Sequence, residues 1–155
     1  MGHISYLLLG LLIAMLIAAA IWDLRSRTIP NGLNAAIALA AIPYWLSLGL
    51  SFWPAMAVQA GIALLVFILF AIVFALGAMG GGDVKMVAAV SLWLAPGATL
   101  TMLLVMSLAG GVLTLVMVAG HHLTKSRKRL EIPYGVAIAF AGIWVVGERF
   151  LNHFS

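Results

Sequence analysis

The sequence contains no cysteine, which excludes disulfides, thiolate zinc sites and cysteine nucleophiles. Charge is almost as scarce. Only 8% of the 155 residues are charged, and only four of those are acidic, whereas about a quarter of an ordinary soluble domain is charged. Such a chain cannot dress a water-facing surface around a core. There are four histidines, and only His121 and His122 are adjacent. Neighbours on a helix point in different directions, so no metal site is expected, and no cofactor. No histidine stands near a credible nucleophile, which removes a Ser-His-Asp arrangement.

What fills the chain instead is hydrocarbon: 65% of residues are hydrophobic and the mean hydropathy is +1.21. Several apolar runs approach or exceed the ~20 residues that cross a bilayer as a helix. The expectation is an all-α, polytopic membrane protein with one integral-membrane domain over residues 1–155 and no separate soluble domain. The net charge of +4 and pI near 10.0 would suit nucleic acid. The cations, however, are confined to short loops, as in a protein anchored at one membrane face, so the partner expected is the bilayer and not nucleic acid.

Six spans are predicted. Span 1 covers Tyr6 to Trp22 and is too long for a cleaved leader. A polar turn from Asp23 to Gly32 follows, with Pro30 and Gly32 as breakers. Span 2 runs from Leu33 to Leu50 and contains Pro43. An uncharged connection, Ser51 to Pro54, leads to span 3, Met56 to Leu76. Span 4, Val84 to Leu94, is only ~16 Å long at 1.5 Å per residue, too short for a ~30 Å core. The glycine-rich loop before it is therefore expected to dip into the membrane. Span 5 is Ala98 to Gly120, and a basic loop, His121 to Ile132, separates it from span 6, Pro133 to Val146. With six spans, the loops after spans 1, 3 and 5 share a face. They hold Arg25, Arg27, Lys85, Lys125, Arg127, Lys128 and Arg129, against Arg149 alone opposite. The positive-inside rule makes that face cytoplasmic and puts both termini outside.

Asp23 and Asp83 both fall on this face. Asp83 closes the run Gly80-Gly81-Gly82-Asp83-Val84-Lys85, and Asp23 ends span 1. An ionisable group at the edge of a hydrocarbon-length segment is costly and usually marks a working site. Two carboxylates in one partly desolvated site share a proton, one acting as base toward water and the other as acid toward a carbonyl. That suffices for peptide hydrolysis. A plainer reading makes Asp23 an interfacial residue paired with Arg25 or Arg27, Asp83 the N-cap of span 4, and Lys85 and the arginines headgroup anchors. Spacing alone leaves both standing. A proton carrier or small transporter would place the acids toward the midplane, whereas here they sit at one edge. A non-enzymatic assembly factor would use both as caps.

The residues also carry a resemblance. Gly80-x-Gly82-Asp83 resembles the GxGD motif of intramembrane aspartyl proteases. Asp23-Leu24-Arg25 with Ile29-Pro30-Asn31, and Gly82-Asp83-Val84-Lys85, resemble the two aspartate motifs of type IV prepilin peptidases. The stretch Pro133 to Ala139 resembles a third one, found in the small branch that serves tight-adherence (Flp-type) pili. The resemblance implies that Asp23 and Asp83 are the catalytic pair. It also implies that Gly80, Gly82, Lys85, Pro133, Tyr134 and Gly135 shape the loop or bind substrate. The implied enzyme is an aspartic prepilin leader peptidase of the bacterial inner membrane, working at the cytoplasmic face. Its substrates would be prepilins and pseudopilins with a short basic leader before an apolar helix, and pilus assembly machinery would be a partner. The cysteine-bearing methylation region of the larger members has no counterpart, so a peptidase-only form is expected. The basic loop would repel a basic leader and is assigned to anionic lipid or orientation.

Overall fold

The computed structural model describes residues 2–124 and 132–151; the basic stretch Lys125 to Arg129 lies outside them, as does His153. The described residues form α1 (His3–Ser26), α2 (Asn31–Ser47), a π-helical turn (Phe52–Met56), α3 (Ala57–Ala75), α4 (Gly81–Ser91), α5 (Pro96–Thr124) and α6 (Tyr134–Leu151), with no strand among them. Three stretches are long and apolar enough to cross a membrane: His3–Ser26, Phe52–Ala75 and Pro96–Gly120. Tyr134–Glu148 is a shorter apolar helix. This is the polytopic all-α architecture that the composition requires.

Two boundaries differ from the sequence reading in ways that matter. α1 runs through Ser26, so Asp23 is helical and not part of a turn. Nothing in Asp23-Leu24-Arg25-Ser26 breaks a helix. The stop is Arg27, whose left-handed backbone (φ 55) lets its N–H return to Asp23 O at 2.9 Å, an αL cap. At α4 the N-cap is Gly80, and Asp83 is the third helical residue instead of the cap itself. α5 opens on Pro96, where the missing N–H costs nothing. α6 starts one residue after Pro133.

α4 is the innermost helix. It packs against α2, α3 and α6, while α1 packs on α2 and α6, and α6 on α5. Its Val84, Met86, Val87, Ala89, Val90 and Ser91 are all buried. Lipid tails are as apolar as leucine, so helices in a bilayer associate through close packing and polar ties. Here Ser5 and Ser47 hydroxyls meet at 3.0 Å. Tyr44 stacks on Trp93 with ring centroids 5.0 Å apart, and Trp93 donates its indole N–H to Ile37 O at 2.9 Å.

The C-terminal end of α4 answers the question raised by its length. The helix stops at Ser91, and the carbonyls it frees are met by side chains of neighbouring helices. Trp45 donates to Leu92 O at 2.7 Å. Gln59, a buried polar residue inside a spanning helix, donates to Leu92 O at 3.1 Å and to Leu94 O. An unpaired carbonyl in hydrocarbon costs several kcal/mol. These donors let a short helix end inside the bundle.

Candidate active site

Six buried residues of α1 fall on one line: Ser5, Leu9, Leu12, Leu16, Ala19 and Asp23. Their spacing alternates between four and three, which keeps them on a single face. Asp23 is the last of them and is 4% exposed. It therefore points into the bundle at the level where α1 ends. Asp83 is 8% exposed and enters from the first turn of α4, where its carboxylate lies near the Gly80 N–H. That is the N3-to-N-cap placement of a capping box. A Cβ on Gly80 would stand 2.9 Å from Asp83 Oδ2.

Gly135 joins the two acids. Its backbone N–H lies close enough to the Asp23 carboxylate, together with the N–H of Val136, to favour the charged form there, and it has the same effect on Asp83. A Cβ on Gly135 would lie 2.8 Å from Asp23 Oδ2 and 2.8 Å from Ile29 Cδ1. A side chain at this position would have to push the Asp23 carboxylate and Ile29 aside. Asp23 Oδ2 is buried and has no hydrogen-bond partner, so one oxygen of that carboxylate is left with unspent acceptor capacity.

The remaining sequence-predicted residues are placed as follows. Gly82 packs on Ile29, where a Cβ would meet the Ile29 backbone nitrogen at 3.3 Å. The Gly82 carbonyl accepts from Asn34 Nδ2 at 3.0 Å. Lys85 Nζ donates to Asn31 Oδ1 at 2.8 Å and lines a different cavity, between α2, α3 and α4. It ties α4 to the start of α2 and does not join the acids. Pro133 is buried, and Tyr134 lines the space in front of the acids. Asn34 and Gln59 were passed over in the sequence. The signal available was a polar side chain inside an apolar span, which is seldom without purpose.

The acids open onto a cavity of about 540 Å³, lined by Asp23, Arg27, Thr28, Asp83, Tyr134 and the loop Gly77 to Gly80, among others. α4 is not a spanning helix, and Asp83 sits at its loop end. Burial, and then the neighbouring Asp23 carboxylate, push the Asp83 carboxyl up to about 7, partly offset by the Gly80 and Gly135 N–H groups. Like charges in one desolvated site cannot both ionise cheaply. Near neutral pH Asp83 therefore readily holds a proton beside the second carboxyl group, so a donor and an acceptor can face one cavity. No group of three or more His, Asp or Glu able to hold a metal ion occurs among the described residues.

No curated protein and no solved structure matches the chain. The model of the Type IV leader peptidase family, in contrast, matches residues 10–115. That span takes in both aspartates, the glycine loop and the helices that present them, and it is well over half of the 155 residues: the chain belongs to the type IV leader peptidase family.

Proposed function

We propose that this protein is a prepilin leader peptidase that cuts between a short basic leader and the apolar helix that follows, using Asp23 and Asp83. The observation that carries this reading is that two buried carboxylates, Asp23 and Asp83, line one cavity with Gly135 set close against Asp23. Such an arrangement has no purpose in a helix cap and fixes an acid and a base at one place. A water in the cavity gives a proton to Asp23 as its oxygen attacks the scissile carbonyl carbon. Asp83 donates its proton to the carbonyl oxygen, giving a neutral tetrahedral diol. On collapse the diol returns a proton to Asp83, the C–N bond breaks, and Asp23 protonates the leaving amine. The acid and base are then restored. Incubation of the purified protein with candidate prepilins, read by mass spectrometry, should show a single cut ahead of the apolar segment. Intact prepilins throughout would overturn the reading.

The rate should follow a bell in pH. The reaction needs Asp83 protonated, so the alkaline limb should fall as pH rises through about 7. The acid limb falls where the pair takes its second proton, and both apparent values belong to the pair. Cleavage in nanodiscs measured across pH 4 to 9 checks this. A rate that climbs steadily from pH 5 to 9 would indicate a single base.

The inner membrane is the proposed location, with the acids at the cytoplasmic face, on the charge asymmetry of the loops. Cysteine-free sequence makes single introduced cysteines clean probes. A cysteine at the exposed Ser26 should be labelled only from the cytoplasm, and one at the exposed Ser51 only from outside. Labelling of both from one side would refute the orientation.

A further inference from the structure

Beside the catalytic cavity the bundle is open. α3 and α5 are not a packed pair, and a groove of about 550 Å³ lies between them, walled by Phe70 and Val73 of α3 and by Met106, Gly110 and Gly111 of α5. It ends on Ala78, Met79 and Tyr134, which also line the cavity holding Asp23 and Asp83. Groove and cavity thus meet end to end. We propose that this groove receives the apolar helix of the substrate, laid between α3 and α5 so that its first residues lead the scissile bond to the two acids. The proposal rests on the leader peptidase reading and adds the path by which the substrate arrives.

The two adjacent glycines of α5 separate what the fold needs from what it does not. Gly110 serves the fold: a Cβ there would stand 3.4 Å from the Tyr134 ring. Gly111 does not, because nothing lies within 4 Å of the place its Cβ would take. A mid-helix glycine is less favourable than alanine, and no contact among the described residues calls for this one. Small residues in membrane helices let a second backbone come close. At Gly111 no second backbone comes close among the described residues, and the substrate helix would supply it.

The wall chemistry suits the same occupant. Ser107 and Thr114 hydroxyls turn back to their own helix, to Leu103 O at 2.8 Å and Gly110 O at 2.7 Å. Neither hydroxyl is left as a free donor facing an apolar helix; the remaining hydroxyl of the lining, that of Tyr134, stands at the end nearest the acids. Met106 to Leu115 measures ~14 Å of helix, enough for roughly the first nine or ten residues after the cut. A second groove, about 670 Å³ between α5 and α6, is lined by Leu108, Val112, Phe140 and Trp144 among others. It shares no lining residue with the catalytic cavity, whereas the α3–α5 groove shares three.

The test uses the absence of cysteine. In an Asp83→Asn background, which keeps the substrate uncut, Gly111→Cys is paired with a cysteine placed early in the prepilin helix. Oxidation should yield an enzyme–prepilin disulfide, and Val112→Cys, on the α5–α6 side, should yield none. In the otherwise unaltered chain, Gly111→Leu should lower kcat/KM for prepilin about tenfold or more, mainly through KM. The protein should accumulate and melt normally, since the leucine enters open space. Cross-linking at Val112 in place of Gly111, or normal kcat/KM in Gly111→Leu, overturns the groove while leaving the peptidase reading intact. Prepilins left whole by the unaltered chain overturn the peptidase reading, and the groove's occupant with it.

Discussion

Asp23→Asn and Asp83→Asn are each expected to reduce prepilin cleavage by about 10³-fold, within the 10²–10⁴ that a positioned acid or base contributes. An amide can neither take the proton of the attacking water nor give one to the carbonyl oxygen. Because the two groups act as a unit, the double variant should be no worse than either single one. Stability distinguishes this loss from misfolding. The Asp83 carboxyl is held at about 7 in the folded protein, against an ordinary value of 3.8. A group raised in this way contributes stability that is present below pH 3.8 and lost as pH rises through about 7. Above pH 7, Asp83→Asn removes a buried charge. The variant should then be more stable than the native protein, by at most roughly 4 kcal/mol at ~1.4 kcal/mol per pKa unit. Melting temperature against pH, beside cleavage rates, checks both halves. A variant with near-normal cleavage would show that the pair does not do the chemistry.

Gly135→Ala should cost about 10²-fold in rate, the scale of a roughly 1 Å misplacement of a catalytic group. The added methyl would lie 2.8 Å from Asp23 Oδ2 and 2.8 Å from Ile29 Cδ1. Both are ends of side chains, so the site can relieve the contact by moving them. The fold survives, and the group displaced is the carboxylate that must face the water. Alanine also favours helix over glycine by up to ~1 kcal/mol, so α6 should not be weakened. Gly147→Ala, later in the same helix with nothing within 4 Å of its Cβ position, is the control and should retain full activity. Equal activity in the two variants would remove Gly135 from the site.

The spans, the exclusion of thiol chemistry and the placement of one acid near a helix end and the other beside a glycine cluster were legible because each follows from composition or order alone. A run of apolar residues is long enough to span or it is not, and the parity of the loops sorts the cations. The inward face of α1 was not legible. From Tyr6 to Trp22 it is almost entirely apolar, so no polar face marks the lipid side. The line Ser5, Leu9, Leu12, Leu16, Ala19, Asp23 is singled out only by the packing of α2 and α6. The roles given to Asp23 and Asp83 as an interfacial residue and an N-cap were reasonable on spacing. They gave way because α1 continues one turn further and α4 starts at Gly81. The Gly135 amide reaches Asp23 and Asp83 across sequence separations that no local pattern encodes. In a bilayer, hydrophobicity places residues in the membrane but does not choose between lipid and protein as their neighbour. Composition and residue order therefore specify a helical membrane protein with an acid near the end of one helix and another beside a glycine cluster. Only the tertiary structure turned those acids toward one cavity, with Gly135 set close against Asp23 and an open groove leading to them.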